Sequence, residues 1–478
     1  MNVLLINPPT SDNISNKEFM LPPSILYLAG SLKAAGHSTS ILDLNVHKPW
    51  LKEADEQHSY CLGLIEKEMS RCAPGLVGIG CCFSGHFPLV WSYTKSMKTK
   101  FPNIPIAIGG IHPTLFYNDI LTNCPSIDYV GLGEGEKTIV ALADALEKNP
   151  SQAATIPGLA FRHEGKAVSN ERGTYIENLD EIPFPAYDLV NFKDYFHDTS
   201  GWWNPRGLPI NATVPILSSR SCPFLCNFCS MFKVMGRGWR YRSVDHVLKE
   251  IEYFYHVHNH RHFSFIDDNL TLKKSHILEL CNQIVKRNLV FQFETPNGIA
   301  TSTLDEEVMD ALVEAGMTRV SLAIESGSDE IRNKIMKKHL PRQKIYNAVN
   351  LTKKHKKLYV RAFFIIGMPE ETKETLTETY DMIKDLDVDQ PIVFNVMPFP
   401  GTALFDQCFR DGLLLNHIEK SSIWKMDTFY LAGNKNFFIK PYKMTMEELL
   451  EFREKMDAYI EPMTKRKRTE RKMSHYAD

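Results

Sequence analysis

Short apolar runs alternate with amphipathic stretches through the first 150 residues, the pattern of an α/β domain built on a parallel sheet. Residues 3–6, 39–42, 76–80, 104–108 and 127–130 read as strands, with helices at 24–35 and 89–99 between them. Turn-forming residues cluster after the strands as NPPT, CCFSGH, GGIHPT and GLGEGE. In a doubly wound sheet these loops line one crevice beyond the strand carboxyl ends. From 151 to 210 the pattern loosens into proline-rich, irregular sequence, which reads as a linker packed on the surface. A second alternation then begins. Strands are expected at 214–217, 262–266, 290–293, 319–324, 359–366 and 392–396, with long helices between, such as 244–256 and 306–315. Six βα repeats predict a full or partial parallel barrel whose active groups stand on the loops after each strand. Beyond MPFPGTALFD the chain becomes helical and irregular.

Composition removes several function classes. Lys plus Arg number 55 against 57 Asp plus Glu, so no global field draws the chain to nucleic acid or an anionic membrane. Six basic residues against one acidic between Lys465 and Lys472 form a cationic tail. It reads as a solvated or frayed helix end, or as a contact for a membrane surface or an anionic substrate. The opening MNVLLINPP lacks a basic flank and reads as a buried strand rather than a signal peptide. No apolar run reaches the roughly 18 residues that span a bilayer. Ten cysteines in 478 residues, mostly at irregular spacings, point to a reducing, cytoplasmic setting. The glycines of GLGEGE do not form a GxGxxG fingerprint, and the acidic residues among them disfavour a dinucleotide pyrophosphate.

Three of the cysteines depart from the irregular spacing. Cys222, Cys226 and Cys229 stand in CPFLCNFC, directly after the first expected barrel strand. A loop shortened by these spacers and by Pro223 lets three thiolates face one point, and such a soft site selects zinc or iron–sulfur. Zinc requires a fourth ligand, and the nearest histidines lie some 30 residues on, beside a strand. A cubane cluster held by three cysteines keeps one iron open. Plain apolar packing of the thiols is the competing reading.

This loop resembles that of the radical SAM superfamily, in which CxxxCxxC follows the first strand of a partial (β/α)6 barrel and holds a 4Fe-4S cluster. Phe228 matches the aromatic residue that precedes the last cysteine. The resemblance implies that S-adenosylmethionine chelates the open iron and is cleaved to a 5'-deoxyadenosyl radical. An external donor of flavodoxin or ferredoxin type is implied to supply the electron. Further matches fall at strand ends: Asp267, Asp268 and Asn269 in FIDDNL, Glu325 and Ser326 in SLAIESGS, and Ile365, Gly367 and Glu370 in FFIIGMPEET. All but Glu370 are taken as S-adenosylmethionine-binding, although Phe363 stands where the last segment often has Gly. Asp267 and Asp268 also suit a helix N-cap, and Glu325 the cap of the helix after it. None of the 17 histidines has a triad context, and no residue is assigned as catalytic.

With LLINPP, PPSILYLAGSLKAAGH, IGGIHPT and GLGEGE ahead of that barrel, residues 1 to about 405 resemble the cobalamin-dependent radical SAM family. The resemblance implies an N-terminal Rossmann-like cobalamin-binding domain (1–150), a linker (151–210), a partial radical SAM barrel (211–405) and a mainly helical extension (406–478). Gly109, Gly110, His112, Pro113 and Thr114 are the candidate corrin-facing loop, joined by Asn7, Ser84, Glu134 and Gly135. The DxHxxG motif that ligates cobalt in other cobalamin proteins is absent from the first 190 residues; the resemblance implies cobalt with its dimethylbenzimidazole displaced and no protein histidine below it, with His112 as a cobalt ligand the lesser alternative.

The implied activity is methylation of an unactivated carbon through methylcobalamin. Cyclisation, ring contraction or another radical oxidation with the same cofactors is the alternative. A methylthiotransferase and a non-enzymatic cofactor sensor rank lower, because no second-cluster cysteine pattern or nucleic-acid-binding module is evident. A small molecule, lipid or peptide is the expected substrate. Trp424, Phe429 and Tyr430 either line its cleft or serve as core aromatics, and Trp202 and Trp203 in the linker are candidates to gate it.

Overall fold

A computed structural model describes residues 1–9, 20–48, 52–82, 84–415, 423–425 and 436–473. The chain divides into two compact units. The first comprises Met1–Phe196, Met231–Gly236 and Ile418–Ala432, and the second His197–Ser230, Arg237–His417 and Gly433–Asp478.

In the first unit β1 (Asn2–Asn7), β2 (Ser38–Asp43), β3 (Leu76–Gly80), β4 (Ile106–Gly109) and β5 (Tyr129–Gly131) are parallel. With β6 (Leu159–His163) and β7 (Lys166–Ser169), the sheet order among the described residues is β2-β1-β3-β4-β5-β6-β7. Alternation decides which side each strand residue serves. Leu4, Ile6, Val77, Ile79, Ile106 and Ile108 pack against α2 (Ala54–Cys72), α3 (Phe87–Lys100) and α4 (Ile111–Asn123). Val3, Leu5, Leu76 and Ala107 pack against α1 (Pro23–Ala34) and α5 (Glu136–Lys148). Covered on both faces, these strands are nearly continuous apolar runs. The stretch 151–210 differs from the irregular linker expected, because β6 and β7 form a hairpin that extends the sheet antiparallel from β5. Farther along, Tyr195 donates to Asp43 Oδ2 at 2.9 Å.

In the second unit β8 (Val214–Ile216) leads into a small pair, β9 (Ser219–Arg220) and β10 (Arg240–Tyr241); the short α6 (Phe232–Met235) between those two belongs to the first unit. Then follow α7 (Val244–Val257), β11 (His262–Phe265), α8 (Lys274–Lys286), β12 (Gln292–Ile299), α9 (Glu306–Ala315) and β13 (Met317–Glu325). The rest is α10 (Arg342–Lys353), β14 (Tyr359–Ile366), α11 (Lys373–Leu386), β15 (Gln390–Asn395), α12 (Ala403–Arg410) and α13 (Met446–Glu470). Strands β8, β11, β12, β13, β14 and β15 lie side by side in chain order, each parallel to the next, and the sheet is open between first and last. That is the expected (β/α)6 partial barrel. Hydroxyl and carboxylate caps start its helices: Ser243 for α7, Asp305 for α9, Thr372 for α11 and Thr445 for α13.

Two expectations at the far end of this barrel are corrected. Trp202 packs edge-on to His262, the first residue of β11, and Trp203 Nε1 donates to the Lys357 carbonyl just before β14. Both tryptophans therefore sit at the amino ends of the strands and do not gate the opposite mouth. The cationic tail is not a frayed end. Lys467 pairs with Asp387 at 2.9 Å, and Arg471 binds Asp389 at 2.7 and 2.8 Å and the Lys356 and Leu358 carbonyls. No helix among the described residues is long and apolar enough to cross a membrane.

Candidate functional site

The cysteine loop leaves β8 and is fastened before it reaches Cys222. Asp267, just beyond β11, accepts from Ser218 Oγ at 2.7 Å and Ser219 Oγ at 2.5 Å, and from the Ser218 amide at 3.3 Å. Ser221 has φ 74°, a left-handed conformation costly for a residue with a Cβ, and its amide donates to Asp268 at 3.0 Å. Burial raises the Asp268 carboxyl to about 6. The acid pair thus orients the loop. Asn269 reaches the first cysteine: its Nδ2 lies 3.8 Å from Cys222 Sγ, and its buried Oδ1 has no partner among the described residues. Farther along the loop, the Asn227 amide bonds the Met336 carbonyl and the Asn227 carbonyl accepts from Leu404.

Burial pushes the Cys226 thiol up to about 11 and raises that of Cys222. A cation opposes this at both sulfurs. Lys338 faces Cys226 and Cys222 and forms a 2.6 Å ion pair with Glu325, the last residue of β13. Burial works against its ammonium, yet Glu325 and the thiols outweigh burial and hold Lys338 above the ordinary lysine range. Three half-buried thiols beside a buried ammonium suit an anionic thiolate centre, because the ammonium offsets charge that burial disfavours. Among the described residues no group of three His, Cys, Asp or Glu side chains is arranged to hold one metal ion. A cluster needs no such convergence, since each thiolate binds a different iron.

The remaining barrel candidates divide into two sets. Phe228 and Ile365 meet in one apolar cluster with Met336 and Met368, which places the cysteine loop beside the end of β14. Gly367 turns that strand end with φ 93°; a Cβ there would stand 3.1 Å from Phe437, and the carboxylate of Glu371 receives its amide. Glu371 is fully buried and its carboxyl is raised by burial to about 8, whereas Glu370, the residue matched by sequence, is bonded by Gln407. Ser326 turns inward: it bonds Thr379 and the Ser328 amide, and its carbonyl is bound by the fully buried Arg332.

At the strand ends of the first unit, register aligns Gly80 with Gly109 and Gly109 with Gly131. Three neighbouring strands therefore end without side chains, and a Cβ built on Gly109 would meet nothing closer than 3.9 Å. A bare shelf of this kind accommodates a flat macrocycle or its nucleotide tail. Gly110, with φ 122°, brings the loop against Cys81, whose carbonyl would lie 2.3 Å from an added Cβ. Thr114 Oγ1 accepts from Gly133, which ties the fourth-strand loop to the fifth, and Pro113 is buried in the first turn of α4. Gly135 caps α5, and Ser84 is buried in a short helical turn. Asn7 is committed to Asp43 at 2.9 Å, and Glu134 to the Ile176 amide.

His112 departs from the expected corrin-facing position. It is fully buried, with ring centroids 4.5 Å from Phe87 and 4.9 Å from Phe116, and burial lowers it to about 3. Neither ring nitrogen is exposed, so as packed it offers no ligand to a metal at the surface. Trp424, a candidate for either the substrate cleft or the core, packs in the core cluster, edge-on to Phe87 and tilted against Trp91. Phe429 and Tyr430 lie outside the described residues. Lys338 and the glycine register were missed by sequence reasoning. Lys338 sits between Lys337 and His339, both with positive φ, a local geometry that IMKKHLPRQ does not signal.

Comparison with known proteins agrees with this architecture. Residues 216–383 match the Radical SAM superfamily and residues 14–143 the B12 binding domain. An uncharacterized methyltransferase of Pyrococcus horikoshii is 31% identical over 417 residues, covering 87% of this chain and 84% of its own. The anaerobic magnesium-protoporphyrin IX monomethyl ester cyclase of Rubrivivax gelatinosus is 28% identical over 415 residues, 85% of this chain and 70% of its own. Among solved structures, the radical S-adenosylmethionine methyltransferase TsrM from Kitasatospora setae, with cobalamin and a [4Fe-4S] cluster bound, shares the fold. Its TM-score is 0.69 at 19% identity, over 94% of this chain and 84% of that one. A B12-binding unit, a barrel whose first loop presents three cysteines beside a buried ammonium, and this extent of identity together place the chain in the cobalamin-dependent radical SAM family.

Proposed function

We propose that the protein methylates an unactivated carbon of a small molecule, using a 4Fe-4S cluster, S-adenosylmethionine and cobalamin. The observation that carries this reading is the cysteine loop fastened beside Lys338 and Glu325, in a chain that also holds a B12-binding unit and whose 31%-identical relative is named a methyltransferase. Bound together, these cofactors supply a hydrogen-abstracting carbon radical and a transferable methyl group.

Each residue of the chain then has a bounded task. Cys222, Cys226 and Cys229 hold the cluster. Asn269, Glu325, Phe228, Ile365 and the Gly367 turn bound the S-adenosylmethionine position, while Asp267, Asp268 and Ser326 fix the backbone around it. Lys338 offsets the negative charge of the thiolates. Gly109 and Gly110, with Gly80 and Gly131, form the corrin seat, held by Thr114. An external electron donor of flavodoxin or ferredoxin type acts at the cluster, and ten free cysteines support a reducing cytoplasmic setting.

Anaerobic reconstitution with iron, sulfide and cobalamin, followed by S-adenosylmethionine and a reductant, tests the proposal. Formation of 5'-deoxyadenosine and a product heavier by one methylene unit support it. A product lighter by two hydrogens establishes the second reading, radical cyclisation or oxidation, which the cyclase relative favours. Absence of 5'-deoxyadenosine with every candidate substrate defeats both.

A further inference from the structure

The contact between Asn269 and the first cysteine is built from both sides. Three consecutive residues beyond β11 meet the chain leading into the cysteine loop in matching order. Asp267 takes the Ser218 and Ser219 hydroxyls, Asp268 the Ser221 amide, and Asn269 the Cys222 sulfur, 3.8 Å from Nδ2. The first two contacts therefore fix the register of the third. The Asn269 backbone is held as well, because its carbonyl accepts from Trp239 Nε1 at 3.1 Å. Trp239 in turn stacks on Tyr241, with ring centroids 4.9 Å apart and planes at 28°, and Tyr241 pairs in register with Ser219 across β9 and β10. The circuit closes on a serine that Asp267 itself binds.

Burial and chemistry decide what this fixed amide does. Asn269 is 1% exposed, so bulk water does not serve its N–H, and Cys222 Sγ is the partner of Nδ2 among the described residues. An amide oxygen turned toward the sulfur would set two acceptors together, so hydrogen bonding selects the orientation with the N–H on Cys222. The Phe224 amide and the Lys338 ammonium face the same sulfur, while Asp268 opposes them. An N–H directed at a cluster thiolate favours the reduced state over the oxidised one, because reduction places more negative charge on sulfur. In a buried setting that preference is screened little.

We propose that Asn269 acts through Cys222 as a positioning residue that sets the reduction potential of the cluster, its side-chain N–H donating to the thiolate and raising the potential. One electron then passes more readily from a reduced donor of flavodoxin or ferredoxin type to the oxidised cluster, with no bond made or broken. This rests on the proposed function, and it gives Asn269 a task that does not require S-adenosylmethionine to be bound. Trp239 supports it by fixing the Asn269 backbone.

Redox titration of the anaerobically reconstituted full-length protein without S-adenosylmethionine, followed by the electron paramagnetic resonance of the reduced cluster, tests the proposal. Asn269→Leu keeps a similar volume and removes the donor. It should make the cluster roughly tenfold harder to reduce, a potential lower by about 59 mV for a one-electron couple. Thr271→Val is the control: Thr271 is also 1% exposed but bonds Thr303 rather than a cysteine, so its potential should match that of wild type. Iron content should stay near the wild-type level in both variants. A potential in Asn269→Leu within about threefold of wild type in reduction equilibrium, a shift upward, or an equal shift in Thr271→Val would overturn the assignment. If Asn269→Leu does not retain iron, Trp239→Phe decides. It keeps a ring against Tyr241 but releases the Asn269 carbonyl, so the potential should fall in the same direction, and an unchanged potential overturns the assignment. Failure of the wild type to hold iron or form 5'-deoxyadenosine defeats the proposed function instead, a separate readout.

Discussion

Replacing Lys338 with Met removes the one charge among the described residues that pairs with Glu325. The two side chains are 15% and 8% exposed and 2.6 Å apart, so solvent screens them little. Stranding one charge of such a pair costs about 3–5 kcal/mol. For a unit of this size, roughly 2–4 °C per kcal/mol translates that into a Tm drop of about 6–20 °C. Removing the partner as well, in Lys338→Met/Glu325→Gln, leaves no charge unpaired and should recover most of the loss. The assay is thermal unfolding of the iron-free wild type, both single variants and the double variant at neutral pH and low salt. In parallel, iron uptake on reconstitution should fall in Lys338→Met, because the Cys226 thiol, already raised to about 11 by burial, loses the cation that opposes the rise. A single variant that melts within 1–2 °C (roughly the effect of a surface change) of wild type, or a double variant no better than the worse single, would refute the buried coupling.

Other consequences reach the strand ends and the shelf. Glu371 has a folded pKa of about 8, above the unfolded value, so it favours the folded state at low pH. That stability is complete below the unfolded carboxylate range and is lost as pH rises to about 8. Glu371→Gln keeps an acceptor for the Gly367 and Met368 amides and should flatten that pH dependence, with a gain at pH 8 on the order of 4 kcal/mol at most, read from denaturant unfolding. Gly109→Val adds a side chain where the backbone leaves open space. It should fold with a Tm near that of wild type but lose the absorption spectrum of bound cobalamin. Gly110→Ala, by contrast, forces a Cβ against the Cys81 carbonyl at a positive φ and should lower stability as well as cobalamin binding.

How much the sequence revealed depends on how local each signal is. Most parallel strands of both sheets were legible because they are apolar runs between turn residues, although β12 starts within the expected 290–293 and runs on through the polar stretch ETPNG to Ile299; the cysteine loop was legible because its spacing needs no tertiary knowledge. The hairpin at 159–169 was not: LAFRH and KAVS are short, half polar, and become a pair only against β5. Asp267 was visible as a carboxylate at a strand end, but its hydroxyl partners, Ser218 and Ser219, lie 49 and 48 residues away. His112 stood in the candidate corrin-facing stretch, yet the first turn of α4 buries it among Phe87 and Phe116, which no pattern along the chain encodes. The glycine shelf exists only through register, and Lys338 reaches the thiols only through two left-handed neighbours. The cationic tail misled because its carboxylate partners, Asp387 and Asp389, lie some 80 residues earlier.

The most direct test of the account is the triple variant Cys222→Ala, Cys226→Ala and Cys229→Ala, with iron, 5'-deoxyadenosine and cobalamin measured on the same anaerobically reconstituted sample. Cluster iron and 5'-deoxyadenosine should both vanish, while cobalamin remains bound through the strand ends of the first unit. Iron retained at the wild-type level, or 5'-deoxyadenosine still formed, would contradict the assignment of the cluster to these three thiols.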